Sequence, residues 1–123
     1  MFIKKIDSFD EDSGEAGLIV SDGSYNLLCF CGLFDQKTDA MPNITSIDTF
    51  LCENIVRADR KEFLIEKLDD VYSYHLCCKI LDIDKNIVCL GDIIIKIDGS
   101  IPKDIKCNEF IEFDVYRLDC CVS

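Results

Sequence analysis

The stretch Val71–Ile97, VYSYHLCCKILDIDKNIVCLGDIIIKI, decides the fold, because its apolar residues recur with a period of two. Tyr72, Tyr74, Leu76, Cys78 and Ile80 place an apolar or thiol side chain at every second position, as one face of a pleated strand requires. Ser73, His75 and Lys79 fall on the other face. After Ile80 the apolar set moves to Leu81 and Ile83, with Asp82 and Asp84 opposite. A one-residue slip of this kind exchanges the two faces, and a β-bulge is the usual way to absorb it. Asp84-Lys85-Asn86 then supplies turn-forming side chains. Ile87, Cys89, Gly91, Ile93, Ile95 and Ile97 restore the alternation, so the stretch predicts two strands joined by a tight turn.

Working outward, residues 2 to 6 read as a short first strand and Asp7 to Glu15 as an acidic link. Ala16, Leu18 and Val20 alternate with Gly17, Ile19 and Ser21. Asp22-Gly23 lies between two strand-like runs, a strong short-range hairpin signal. The return strand carries Tyr25, Leu27, Cys29, Cys31 and Leu33 on one face, with Leu28 and Phe30 on the other. Asp35 to Asn43 is polar and contains Pro42, which predicts a loop. In residues 44–57, Ile44, Ile47, Leu51 and Ile55 have helical spacing, whereas Phe50, Cys52 and Val56 fit a strand; the β-branched content favours the strand. Asp59 followed by Glu62 has the form of a capping box, which predicts a short helix near residues 60–69 packed through Phe63, Leu64 and Leu68. Asp98-Gly99 and Pro102 mark a connection, and a last strand runs from Glu109 to Leu118 with Ile111, Phe113 and Val115 facing inward. Cys120 and Cys121 then fall in a terminal tail.

These elements predict a mainly β protein, with residues 1–123 forming a single small, partly open β-barrel domain and one short helix. A short helix between the third and fourth main strands resembles the plan of the OB-fold, a small Greek-key barrel. The resemblance is one of architecture, and fold does not fix function.

Acidic residues outnumber basic ones 24 to 13, for a formal charge of -11. Such a field repels phosphate backbones, which makes nucleic acid an unlikely partner, and it favours a basic protein. The basic start Met-Phe-Ile-Lys-Lys-Ile meets Asp7, Asp10, Glu11 and Asp12 with no apolar core behind it, so no secretory signal and no membrane span are expected, and a cytoplasmic location is. In that compartment the nine cysteines should remain thiols and serve largely as small buried hydrophobes.

No motif in the chain names a reaction. There is no Cys-x-x-Cys; Cys29-x-Cys31 shares a strand face, but Cys77-Cys78 points to opposite faces, so neither a metal nor another cofactor is expected. Asp10-x-Asp12-x-Gly14 and Asp82-x-Asp84-x-Asn86 imitate calcium loops without the right glycine or the terminal glutamate, and they read as turns. His75 is the only histidine, and no local signature beside any cysteine marks a Cys–His nucleophile. Arg57, Arg60, Lys61 and Lys67 cluster, but Asp59, Glu62 and Glu66 are interleaved with them. The chain therefore reads as a non-enzymatic, acidic, cytosolic module. Its candidate binding face comprises Asp82, Asp84, Glu109, Glu112 and Asp114, and its expected target is a basic protein. In size and charge it resembles the bacterial immunity proteins. An OB-like binder of single-stranded nucleic acid and a metal- or thiol-dependent protein are the alternatives.

Overall fold

The computed structural model describes residues 1–34 and 41–123. Among them are nine strands and no helix: β1 (Phe2–Phe9), β2 (Ala16–Ser21), β3 (Asn26–Cys31), β4 (Ile44–Arg57), β5 (Leu64–Lys67), β6 (Tyr74–Asp82), β7 (Ile87–Leu90), β8 (Ile93–Lys96) and β9 (Phe110–Val122). The strand order is β1-β2-β3-β9-β4-β8-β7-β6-β5, and a further β9–β6 pairing closes β9, β4, β8, β7 and β6 into a five-stranded barrel. This small barrel with added strands is consistent with an OB-like architecture. Its β4–β8 wall rests on one parallel bridge, Asp48 opposite Lys96. The β1–β3 meander joins the barrel through one parallel bridge as well, Phe30 opposite Asp119.

Alternation fixes the core. Leu18, Leu27, Leu76, Ile80, Leu90, Ile93, Ile95, Ile111, Phe113 and Leu118 are fully enclosed. Each such side chain contributes about 1.5–3 kcal/mol of hydrophobic stabilisation. On β6 the core-facing set is Tyr74, Leu76, Cys78 and Ile80, with Cys77 also buried on the other face, and the slip after Ile80 is a register irregularity in the β6–β7 pairing, as its sequence implies. Asn86 takes the left-handed conformation (φ 56°) that its turn requires. The Asp22-Gly23 hairpin forms with Gly23 at φ 99°, and residues 44–57 are indeed a strand.

Four expectations need correction. The return strand of the central hairpin is broken: Gly91-Asp92 is a two-residue turn that makes β7 and β8 a second hairpin, with Leu90 opposite Ile93. Glycine at the first turn position, at φ 61°, fits the twist of such a hairpin. Cys89 is therefore paired with Ile94 on the other face, and Val88 and Leu90 share the core face with Ile93 and Ile95. The helix near residues 60–69 is absent. Leu64–Lys67 instead pairs antiparallel with Cys77–Tyr74, because burying Leu64 and Ile65 against β6 outweighs a local capping preference of about 1 kcal/mol. The first strand runs on to Phe9 with two register shifts; these bulges, with Lys4 and Lys5, blunt an open sheet edge. The last strand reaches Val122, so Cys120 is a buried strand residue opposite Ile47 rather than part of a tail. Of the loop expected over 35–43, residues 35–40 lie outside those described, and residues 41–43 carry no regular structure. No helix among the described residues is long and apolar enough to cross a membrane.

Candidate functional site

Two local devices shape one side of the barrel. The first is Asp98, just beyond β8. Its carboxylate accepts hydrogen bonds from the Thr49 hydroxyl and from the backbone N–H groups of Leu51 (3.1 Å) and Cys52 (3.1 Å), while its own N–H donates to Thr49 Oγ1 (2.8 Å). This grip holds Leu51 in the left-handed region (φ 57°), where a branched side chain is strained by about 1–2 kcal/mol. Leu51 is consequently half exposed instead of folded into the sheet.

The second device is the connection from Lys67 to Ser73. The Lys67 ammonium donates to the carbonyls of Leu68 (3.1 Å), Asp70 and Ser73 (3.0 Å), and it sits over the Tyr74 ring. Ser73 Oγ in turn donates to the Tyr116 carbonyl (2.9 Å), tying the loop to β9. Between these devices lies a groove of about 490 Å³, with Leu51, Leu68 and Tyr116 as apolar lining and Glu53, Asp69, Asp70 and Asp114 as acidic groups. Among the described residues Lys67 is the one basic side chain in the lining, and its charge is turned onto its own backbone. Among the described residues, Glu53, Asp69 and Asp70 have no ion-pair partner.

The anticipated acidic face is divided by the barrel into three places. Glu112 and Asp114 come together on β9 around His75 of β6: His75 Nδ1 lies 2.7 Å from Asp114 Oδ1, and Nε2 lies 3.7 Å from Glu112 Oε1. Asn54 Nδ2 donates to Asp114 as well (3.1 Å), and Arg60 approaches Glu112 (3.6 Å). Partial burial works against a charged imidazole, yet the hydrogen bond and charge of Asp114, aided by Glu112, raise the His75 pKa above its ordinary value. The His75 and Asn54 hydrogen bonds hold the Asp114 carboxyl below the ordinary range. Glu109 is engaged elsewhere, pairing with Arg57 (3.0 Å) and accepting the Lys106 N–H (2.8 Å). Asp82 and Asp84 sit at the far end of β6, where Asp82 Oδ1 caps the N–H groups of Asp84 and Lys85. Only Asp114 of the five lines the groove. Asp69, Asp70 and Glu53 were missed; the run Asp69-Asp70 was the available signal, hidden by assigning it to a helix end.

The thiols are mostly enclosed. Cys77 shares the His75 face, but burial, then Glu112, pushes its pKa up to about 11, and burial pushes Cys52 up to about 12. Neither is a ready thiolate at neutral pH. Among the described residues no group of three or more His, Cys, Asp or Glu is arranged to hold a metal ion.

A further surface feature is an aromatic ladder. Arg117 packs over the Phe30 ring (4.3 Å) and the Phe50 ring (4.7 Å), Phe30 meets Tyr72 edge-on, and Phe50 meets Tyr116 likewise. The Arg117 guanidinium is also held by both oxygens of Asp119, at 2.5 and 3.1 Å. Of the basic cluster, Arg57 is paired with Asp104 and Glu109, and Arg60 with Glu112. Comparison of the chain with protein-family models, curated proteins and solved structures finds no match in any of the three.

Proposed function

We propose that this chain is a non-catalytic, cytosolic binding module that captures a basic segment of a protein partner in the groove between Leu51, Tyr116 and the Lys67–Ser73 connection, as an immunity-type inhibitor would. One observation carries the reading: Lys67 spends its charge on three carbonyls of its own chain, which leaves Glu53, Asp69 and Asp70 uncompensated around an apolar lining. An arginine or lysine side chain suits such a place, with its aliphatic stem on Leu51, Leu68 and Tyr116 and its charged head among the carboxylates. The surrounding charge of -11 would draw a basic partner in and speed its association.

The aromatic ladder is the one feature that favours single-stranded nucleic acid, because bases stack on exposed rings. Two facts weigh against it. Arg117 occupies faces of both Phe30 and Phe50, and Asp119 neutralises the Arg117 charge that a phosphate would need.

The test is a tagged pull-down from source-cell lysate, run in parallel with wild-type protein and an Asp69→Asn/Asp70→Asn variant and washed over a salt gradient. A basic protein retained by the wild type, released by salt and held several-fold more weakly by the variant supports the proposal; two exposed ion pairs of up to about 1 kcal/mol each account for that factor. Equal retention by both proteins sinks the groove. Salt-dependent anisotropy of a labelled single-stranded oligonucleotide would shift the reading to nucleic acid.

A further inference from the structure

Cys29, Cys31 and Cys120 form a buried thiol group, and none of them lines the acidic groove. Strands β3 and β9 run parallel where Phe30 lies opposite Asp119. One step further along each strand sets Cys31 beside Cys120, and alternation turns both, with Cys29, onto the core face, where they are 2%, 4% and 0% exposed. Neighbouring strands lie about 5 Å apart. That spacing falls within the Cα separations of roughly 4.4–6.8 Å that a disulfide spans. The Cys29 and Cys31 thiols, whose S–H groups reach the carbonyls of Leu27 (3.8 Å) and Leu33 (3.5 Å), hold the neighbouring Cys120 thiol below its usual range although burial opposes this. The adjacent Cys120 thiol, then burial, pushes Cys29 well up. Cys120 is thus the most readily ionised of the three and the natural attacking thiol, and two thiols stand beside it to resolve the product.

We propose that Cys120 and a facing β3 thiol, Cys31 or Cys29, form a redox-active pair that a hydroperoxide converts to a disulfide. The Cys120 thiolate attacks the terminal peroxide oxygen, the O–O bond breaks, and Cys120 becomes a sulfenic acid as the leaving oxygen departs as water or an alcohol. The β3 thiol then attacks the Cys120 sulfur, loses its proton and expels the hydroxyl as a second water. The two thiols together lose two electrons and two hydrogens, and the peroxide takes up both. An added dithiol reverses the step by exchange.

The location gives the bond a structural consequence. A single backbone bridge joins the β1–β3 meander to the barrel here, so the disulfide would staple the seam with the thinnest pairing between these two parts. It would close a loop of about 90 residues, and the entropy removed from the unfolded chain corresponds to a Tm rise of about 15–20 °C. The pair would act independently of partner capture, since neither β3 nor Cys120 lines the groove.

The experiment uses a Cys107→Ser/Cys121→Ser variant, which lacks the two exposed thiols. It is treated with hydrogen peroxide in small excess, alkylated under denaturing conditions and digested with trypsin. The expected result is a monomer that has lost two alkylatable thiols, a cross-link between the tryptic segments 6–37 and 118–123, and the Tm rise, all reversed by dithiothreitol. Adding Cys120→Ala should abolish the link; should that variant not fold, the peptide map of the parent still decides. A Cys120 that stays fully alkylatable after peroxide treatment overturns the proposal. A link joining two molecules, or two cysteines outside this trio, overturns it equally.

Discussion

Replacing Asp98 by Ala should destabilise the protein by about 2 kcal/mol, more than an exposed aspartate ordinarily contributes. The figure comes from what the carboxylate holds. The Thr49 side chain is buried, and its hydroxyl loses the acceptor it donates to, at about 1 kcal/mol. The N–H groups of Leu51 and Cys52 lie near the surface and can turn to water, so each adds only about 0.5 kcal/mol. Against a total stability of about 5–15 kcal/mol this is a large fraction. With a urea slope of about 1–3 kcal/mol per molar, the unfolding midpoint should fall by about 1 M at constant slope. Urea titration followed by circular dichroism reads this directly. Asp82→Ala is the control: it uncaps two exposed turn amides and should shift the midpoint little. Thr49 and Asp98 bond each other twice, so Thr49→Val/Asp98→Ala should lose less than the sum of the single variants. A midpoint that hardly moves in Asp98→Ala, or losses that simply add, would refute this account of the Leu51 kink.

The His75–Asp114 pair should make stability depend on pH in a defined window. His75 has a raised folded pKa, so its contribution is complete below the ordinary 6.5 and disappears as pH rises through the folded value; Asp114 has a lowered one, so its contribution is present above the ordinary 3.8 and disappears as pH falls through the folded value. The pair therefore acts most strongly between those limits, and wild type should lose about 0.5 kcal/mol more than His75→Gln between pH 5 and pH 8, the figure being small because both groups are partly solvated. Parallel losses in the two proteins would refute it. Gly91→Ala should cost about 1–3 kcal/mol, since φ is 61° and a Cβ would run into Asp22 Oδ2 and come within 2.6 Å of the Tyr25 ring. Thermal melts that place this variant within a degree of wild type would show that the β7–β8 turn can relax.

Strand-forming segments were legible wherever one face is buried, because the period of two then survives in the sequence. Tyr74, Leu76, Cys78 and Ile80 show it, and so do Ile111, Phe113 and Val115. The β7–β8 turn escaped for a related reason. A two-residue turn exchanges odd and even positions, so the core face passes from Val88 and Leu90 to Ile93 and Ile95; because Ile87 and Cys89 are apolar too, the odd positions look like one unbroken alternation and hide the exchange. The helix at 60–69 was misread because Phe63, Leu64 and Leu68 suit either period over so short a span, and pairing with β6 is a tertiary fact. Legibility was poorest at the groove. Asp114 was visible as an acidic strand residue, but the Leu51 kink depends on Asp98, which is remote in sequence, and the discharge of Lys67 depends on how its loop folds back.

Strand β9 pairs with β3, β4 and β6, yet it follows all of them in the chain. During translation the ribosome therefore releases β4 and β6 with their hydrogen-bonding edges open, and no earlier segment can substitute. Closure has to wait until β9 emerges, so the barrel completes itself late and through pairings distant in sequence, a route that is slow for a domain of this size. In that interval the unclosed strands are the form of this protein most exposed to aggregation, and the form a chaperone would meet.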